Sequence, residues 1–274
     1  NLGYSYRKSK SNQGKMFSVL GKLNHGLFMD NKRLIIPDTH IRIRLKRSSD
    51  EFCLDSDAIA ASSTFNYKFN MTQCNLLVNR VTATEALMKQ YEAHLAKNSR
   101  FYYPFYDRSV FSYTIPQGEI QSTSEILSAS ALPSKIAFGF VKSKAFFGEP
   151  TLSPFNFQSF DMSECYLSLD GNPLIYKSIS FDVDNGEYLQ GYKMLNNDNA
   201  LSITPEKYAA HQFLIVFDLL PSSIAQFAKG RNGTLRFHCR FKNALTESIT
   251  CVCYMEHQSV LILTRAREVE VKQF

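Results

Sequence analysis

The tightest constraint on how this chain folds lies between Ala131 and Leu169, where two short strand patterns flank a connection rich in Pro and Phe. Ile136 to Val141 is apolar almost throughout. In Cys165 to Leu169, the side chains of Cys165, Leu167 and Leu169 alternate with Tyr166 and Ser168. That period of two sends one face into a core and the other toward solvent or a neighbour. Asp170, Gly171, Asn172 and Pro173 then turn the chain.

Similar patterns recur downstream. Arg108 to Pro116 places Phe111, Tyr113 and Ile115 on one face, and Leu235 to Phe241 alternates apolar with basic or polar side chains. Phe213 to Leu219 is a near-continuous apolar run, which predicts a strand buried on both faces. Ser248 to Glu256 and Val260 to Leu263 complete the set. Strands at this spacing with turn signals between them predict an antiparallel all-β sandwich or barrel from Phe101 to the C-terminus, with room for eight strands. Thr204-Pro205-Glu206 predicts a short helix, with Thr204 as N-cap and Pro205 at the first helical position. Asn172 to Leu201 has no sustained period and reads as a long loop, as does Pro221 to Gly233. Loops of that length inside a compact domain are usually functional.

The first half reads differently. Asn1 to Lys15 is polar and basic, a loop or arm. Strands are expected at Phe17 to Leu23, at Ile41 to Leu45 and at Asn75 to Val81. In the second of these Ile41, Ile43 and Leu45 alternate with Arg42, Arg44 and Lys46, giving one buried and one basic face. The basic face reads first as a solvated surface and second as a contact with DNA or an acidic neighbour. A helix is predicted from Thr84 to Leu95, capped by Thr84, with Glu85 at its positive end and Leu87, Tyr91 and Leu95 in one stripe that should lie against a barrel. His94 beside that stripe reads as a packed or surface residue.

Composition agrees with this pattern. The 274 residues are 44% hydrophobic, with 22 Phe, 14 Tyr and no Trp, and Phe and Tyr favour strands. A formal charge of +6 permits contact with nucleic acid without requiring it. No apolar run approaches the roughly 20 residues of a membrane span. The six cysteines form no Cys-x-x-Cys pair and are expected to be reduced, as in an intracellular protein. The sequons at Asn70 and Asn232 carry little meaning without a secretory route.

Leu132-Pro-x-Lys-Ile-x-x-Gly-Phe-Val141, the connection through Phe155-Asn-Phe157, and the strand ending Leu167-x-Leu-Asp-Gly171 resemble the second barrel of double jelly-roll major capsid proteins. The resemblance is to those of Maverick (Polinton) virus-like transposons, and at greater distance to those of nucleocytoplasmic large DNA viruses. Gly26 to Asp30, Leu34 to Pro37 and Ile41 to Leu45 resemble late strands of the first barrel, and the passage from Asn75–Val81 into the helix resembles that family's linker. The resemblance implies an all-β double jelly roll in three parts. Residues 1–83 would be the C-terminal part of a first jelly roll, 84–100 a linker helix and 101–274 a complete second jelly roll. Half a barrel exposes apolar faces and unpaired edges, so a longer polypeptide or a partner is expected to complete it.

The same resemblance implies a structural protein. Its subunits would form pseudo-hexagonal homotrimers that tile an icosahedral shell with neighbouring trimers and a minor capsid (penton) protein. It would be located in the virion and assembled in the cytoplasm or nucleus of a host cell, with no cofactor; weak DNA contact through Arg42, Arg44 and Lys46 is the second reading of their basic face. Ile136, Phe138, Phe155, Phe157, Phe217, Tyr188 and Tyr192 are the candidates for structural and assembly roles.

Catalytic patterns are lacking: there is no Gly-x-Ser-x-Gly elbow, no Gly-rich phosphate loop and no His-Glu-x-x-His. Cys251 and Cys253 share a strand face and could join His238 or Cys239 at a zinc ion, although core thiols are the simpler reading. Asp182 and Asp184 beside Asn185-Gly186 could hold a hard cation, although most of a calcium-loop pattern is missing and a solvated turn is simpler. No metal is therefore expected. Two other function classes stay open. One is a ligand- or glycan-binding jelly roll using Tyr176, Tyr188, Tyr192 and the acids of the long loop. The other is a host protein derived from a transposon capsid that no longer assembles.

Overall fold

A computed structural model of the chain describes residues 2–11, 14–29, 34–35, 39–54, 68–97, 100–128, 131–174, 178–196, 203–219, 233–264 and 268–273. In chain order these contain helices α1 (Leu2–Ser11), α2 (Gly26–Met29), α3 (Asp50–Cys53) and α4 (Glu85–Ala96), then strands β1 (Phe101–Ile115), β2 (Gln121–Thr123) and β3 (Lys135–Lys142). Helix α5 (Ser143–Phe146) leads to β4 (Met162–Leu169), β5 (Asn172–Pro173) and β6 (Ile179–Ser180), and helices α6 (Leu189–Leu195) and α7 (Pro205–His211) follow. The chain ends in β7 (Leu214–Asp218), β8 (Leu235–Phe241), β9 (Ile249–Leu263) and β10 (Val269–Gln273).

All strand pairing among the described residues is antiparallel. One sheet runs β1-β9-β3-β7 with β10 added beside β9, and the other runs β2-β8-β4-β5 with β6 also on β4. Both β5 and β6 lie along the same edge of β4 and act as one interrupted strand. Strands from the two ends of the domain thus alternate within each sheet, and this is the jelly-roll arrangement. The fold is all-β, and the described strands from Phe101 onward form a jelly roll.

The period-two faces meet between the sheets. Ile136, Phe138 and Phe140 on β3, Cys165 and Leu167 on β4, Ile215 and Phe217 on β7, Phe237 and Phe241 on β8, and Cys251 and Cys253 on β9 form one buried cluster. Phe138 stacks on Phe237 with ring centroids 3.8 Å apart. Each such fully buried side chain is worth roughly 1.5–3 kcal/mol of transfer free energy. Asp170 and Gly171, with φ of 51° and 82°, close a tight β4–β5 turn whose positive angles suit a two-residue hairpin. Thr204 caps α7, accepting from the Lys207 N–H at 3.4 Å, with Pro205 in the first turn, as its sequence signal predicts.

Several elements differ from expectation. β7 is half-buried rather than covered on both faces, because it belongs to an antiparallel sheet with one face on the core: Ile215 and Phe217 point inward, while Leu214, Val216 and Asp218 point away. The two runs expected at Ser248–Glu256 and Val260–Leu263 are one continuous strand. The long loop after β4 holds β6 and α6, and α6 can approach the core because a Cβ at Gly191 would lie 2.4 Å from the Tyr208 hydroxyl. The Pro221–Gly233 loop lies almost entirely outside the described residues, as do Asn232 and Tyr176.

Before Phe101 the described residues contain no strand. Phe17 to Leu23, Ile41 to Leu45 and Asn75 to Val81 lack regular structure, and Ile41, Ile43 and Leu45 are 50%, 37% and 68% exposed rather than buried on one face. The physical reason is that an alternating strand has no stability without a neighbour to pair with and a core to face. The helix forms where predicted, with the Leu87 N–H donating to Thr84 Oγ1 at 3.4 Å. Its stripe is not seated on the barrel: Leu87 is exposed, the Leu95 side chain lies outside the described set, and contact is made through Tyr91 and His94 on Phe101. No helix of the described residues is long and apolar enough to cross a membrane.

Candidate assembly surface

The two sheets turn different chemistry outward. On the outer face of the first sheet, Tyr102, Tyr106 and Val110 of β1 are exposed, and Val110 lies across from Tyr254 of β9. A polar network crosses this apolar face. The Tyr254 hydroxyl and Arg108 Nε both donate to Glu256 Oε1, the latter at 3.1 Å, and Arg108 also donates to Asn24 Oδ1 at 2.6 Å. Burial, and then the hydrogen bond to Glu256, push the Tyr254 phenol upward.

On the outer face of the second sheet, alternation brings Arg236, His238 and Arg240 of β8 beside Tyr166 and Ser168 of β4. The His238 ring stacks on Tyr166 with centroids 4.5 Å apart. Its Nδ1 lies 3.0 Å from Thr123 Oγ1 and its Nε2 2.8 Å from Ser168 Oγ. Burial and the nearby Arg236 lower its affinity for a proton. Both ring nitrogens are thus occupied on the face opposite Cys239, so His238 cannot share a metal with the core thiols.

Of the seven sequence candidates, Ile136, Phe138 and Phe217 are interior and hold the sheets together. Phe157 is partly buried, bonded by its backbone to His211 and Phe213 at 3.1 Å each, with its ring against Gly139. Tyr188 and Tyr192 pack on the core beside Tyr208, with centroids 6.3 and 5.8 Å from it, and the Tyr192 hydroxyl donates to the Ile203 carbonyl at 2.9 Å. Phe155 alone of the seven is strongly exposed, at 67%, and meets Phe52 of α3 at 5.9 Å. Phe147, 71% exposed, adds a second bare ring to the loops between β3 and β4.

The candidate metal ligands are otherwise engaged. Asp182 Oδ1 accepts from Lys242 Nζ at 2.6 Å and Oδ2 accepts from Asn185 Nδ2 at 2.9 Å, which hold its carboxyl below the usual range. Asp184 lies 3.7 Å from the same ammonium, so a lysine cation already occupies the position between the two carboxylates and offsets part of their charge. Cys165, Cys239, Cys251 and Cys253 are buried, and burial raises each thiol, Cys239 to about 12. Among the described residues no three His, Cys, Asp or Glu side chains converge as metal ligands. Arg42, Arg44 and Lys46 are exposed on a segment without regular structure.

Sequence reasoning missed Tyr208, fully buried at the centre of the aromatic cluster, and the inward polar group Asp107, His257 and Ser259. The signal for the latter was available: on β1 and β9 these residues continue the inward phase of Phe111 and Cys253.

No protein-family model matches the chain. An uncharacterized protein of Caenorhabditis elegans is 22% identical over 248 residues, covering 86% of this chain and 58% of its own length. Among solved structures, the Sputnik virophage structure aligns with 64% of this chain and 39% of that chain at TM-score 0.42 and 11% identity. The mavirus major capsid protein aligns over 64% and 41% at TM-score 0.39 and 8% identity. The PBCV-1 virus capsid aligns over 67% and 54% at TM-score 0.38 and 8% identity. The chain therefore spans little more than half the length of its nematode relative and about two fifths to a half of these viral chains.

Proposed function

We propose that the chain is a structural subunit of a double jelly-roll capsid of the Maverick (Polinton) type. In this reading residues 101–274 are the second jelly roll, 84–100 the linker helix and 1–83 the late part of a first jelly roll whose remaining strands are supplied from outside that segment. One observation carries the reading. Among the described residues the buried core draws its side chains from Tyr103 onward, while Met16, Val19, Leu20, Ile41, Leu45, Leu76, Leu77, Val78 and Val81, several of them alternating as strands do, lie bare.

Three such chains form a homotrimer, trimers tile a shell with a penton protein at its vertices, and the product resides in a virion assembled inside the host cell. The outer face of the first sheet and the Phe147–Phe155 loops supply apolar area of the kind that obligate interfaces bury. The groups that could do chemistry, His238, Asp182 and the core thiols, are held by hydroxyls, an ammonium and apolar neighbours, which supports a structural role over catalysis. Arg42, Arg44 and Lys46 give the shell a weak contact to DNA. The nematode relative supports an element carried in an animal genome.

Native mass measurement and electron microscopy of the complete natural polypeptide test this. The expected result is a trimer with sheets or shells at high concentration, and a clean monomer under the same conditions overturns the reading.

A further inference from the structure

β9 has β1 along one flank for its whole length, but its other flank is shared between two strands. β3 pairs with it as far as Lys135 opposite Glu256, and β10 takes over from Gln273 opposite Ser259. Between them lies a seam at His257 and Gln258. Its inward side is unusually polar for a barrel interior: His257 and Ser259 are 9% and 3% exposed, and Asp107 of β1 faces His257 directly.

The seam is held by few bonds. Ser134 closes the β3 side, its N–H and hydroxyl both donating to the Glu256 carbonyl at 2.7 and 2.9 Å. On the β10 side, Gln273 Nε2 donates to Asp107 Oδ2 at 3.0 Å, tying the last strand to the acid that faces His257. Ser259 Oγ, buried beside them, has no hydrogen-bond partner among the described residues. All five residues of β10 are exposed, so little apolar burial secures the strand itself.

We propose that this seam is an acid-sensitive latch, in which protonation of His257 drives β10 away from β9. The Asp107 carboxylate of β1 lies across from His257 and the Ala131 carbonyl bonds to it; around them are Ser134, held on the neighbouring Glu256 carbonyl, Ser259 on the same strand, and the uncharged Gln273 amide of β10, which reaches His257 only through Asp107. Arg108 and Glu256 pair with each other on the opposite face of the sheet. His25 lies one step further along, stacked on Phe105, the partner of Ser259. A cation formed on His257 thus gains one carboxylate, already shared with Gln273, and loses its hydration.

Burial outweighs the contributions of Asp107 and the Ala131 carbonyl, so the ring holds its proton less tightly when the seam is closed. The closed-state value lies below the ordinary one of about 6.5. The seam is therefore fully stable above that pH and weakens as pH falls below it, by at most about tenfold per pH unit for a single proton, until the lowered value is reached. Opening frees the β9 edge from Ser259 to Leu263 for pairing with another strand.

Hydrogen–deuterium exchange on the complete chain at pH 7.5, 6.5 and 5.5, corrected for intrinsic amide rates, tests the latch. Protection of 259–263 and 269–273 should fall by up to about tenfold per pH unit below pH 6.5, while Leu235–Phe241 stays protected, and His257→Gln should make β10 protection independent of pH. Flat protection in the parent, or the same fall in the variant, overturns the proposal. If His257→Gln does not fold, the His257 ring titration followed by NMR in the parent decides. A midpoint below about 6.5 that coincides with the pH at which β10 exchange stops rising supports the latch, and a mismatch or a midpoint at or above about 6.5 overturns it.

Discussion

Phe217 is 7% exposed and meets Phe138 and Phe237 edge-on, at 6.1 and 6.5 Å between ring centroids. Phe217→Asp would place an unpaired charge against those rings, and removing a buried Phe alone costs about 3–5 kcal/mol. The variant should therefore lose the cooperative thermal transition of the barrel, measured by circular dichroism; an unchanged melt would take Phe217 out of the core. A milder outcome is expected at the Asp182–Lys242–Asp184 cluster. Because Lys242 and Asn185 hold the Asp182 carboxyl below its usual range, its contribution is present above the ordinary carboxylate value and is lost as pH falls through the lowered one. The pair is solvent-screened, so that contribution is small. Asp182→Asn with Asp184→Asn should leave the melting temperature within a degree or two, and calcium should not raise it in the parent. A calcium-dependent rise that the double variant abolishes would restore the cation-binding reading.

At the scale of elements, α2 sits on β1 so closely that a Cβ at Gly26 would lie 2.2 Å from the Tyr106 carbonyl oxygen. Gly26→Ala should therefore detach residues 24–28 from β1, seen as faster proteolysis or exchange there, while the barrel melts as before. Equal protection of that segment in both proteins would contradict the docking. The elements legible in the sequence were β4, β8 and the second half of β1, whose strict alternation sends Phe111, Tyr113 and Ile115 inward, together with the apolar run of β3. The first half of β1 was hidden because Phe101 to Tyr106 is aromatic on both faces and interrupted by Pro104. α6 was hidden because Gly191 breaks its helical pattern, although that glycine is what lets Tyr208 and Phe181 reach it. Alternation before Phe101 was real in the side chains but had nothing to pair with, so pattern alone could not make it a strand. The candidate site was legible only in part, since Tyr188 and Tyr192 looked like loop residues and face the core instead.

Across the whole molecule, apolar exposure is uneven. Met16, Val19 and Leu20 are more than four fifths exposed, and Leu76, Leu77, Val78 and Val81 more than half, while the sheets after Phe101 enclose a continuous core. The preceding segment touches the barrel mainly where β1 and β9 run past that core. There His25 stacks on Phe105, the Tyr103 hydroxyl donates to the Leu34 carbonyl at 3.3 Å, and Tyr91 packs on Phe101. The core therefore does not depend on residues 1–100, and those residues carry the bare apolar surface that a further barrel would cover. Comparing residues 1–274 with a fragment beginning at Phe101, by thermal melting in the presence of a hydrophobic dye, tests this division most directly. The account predicts a fragment that melts cooperatively within a few degrees of the longer chain and binds little dye, beside a longer chain that binds dye strongly or aggregates. A fragment that does not fold, or two species with the same low dye signal, would contradict it.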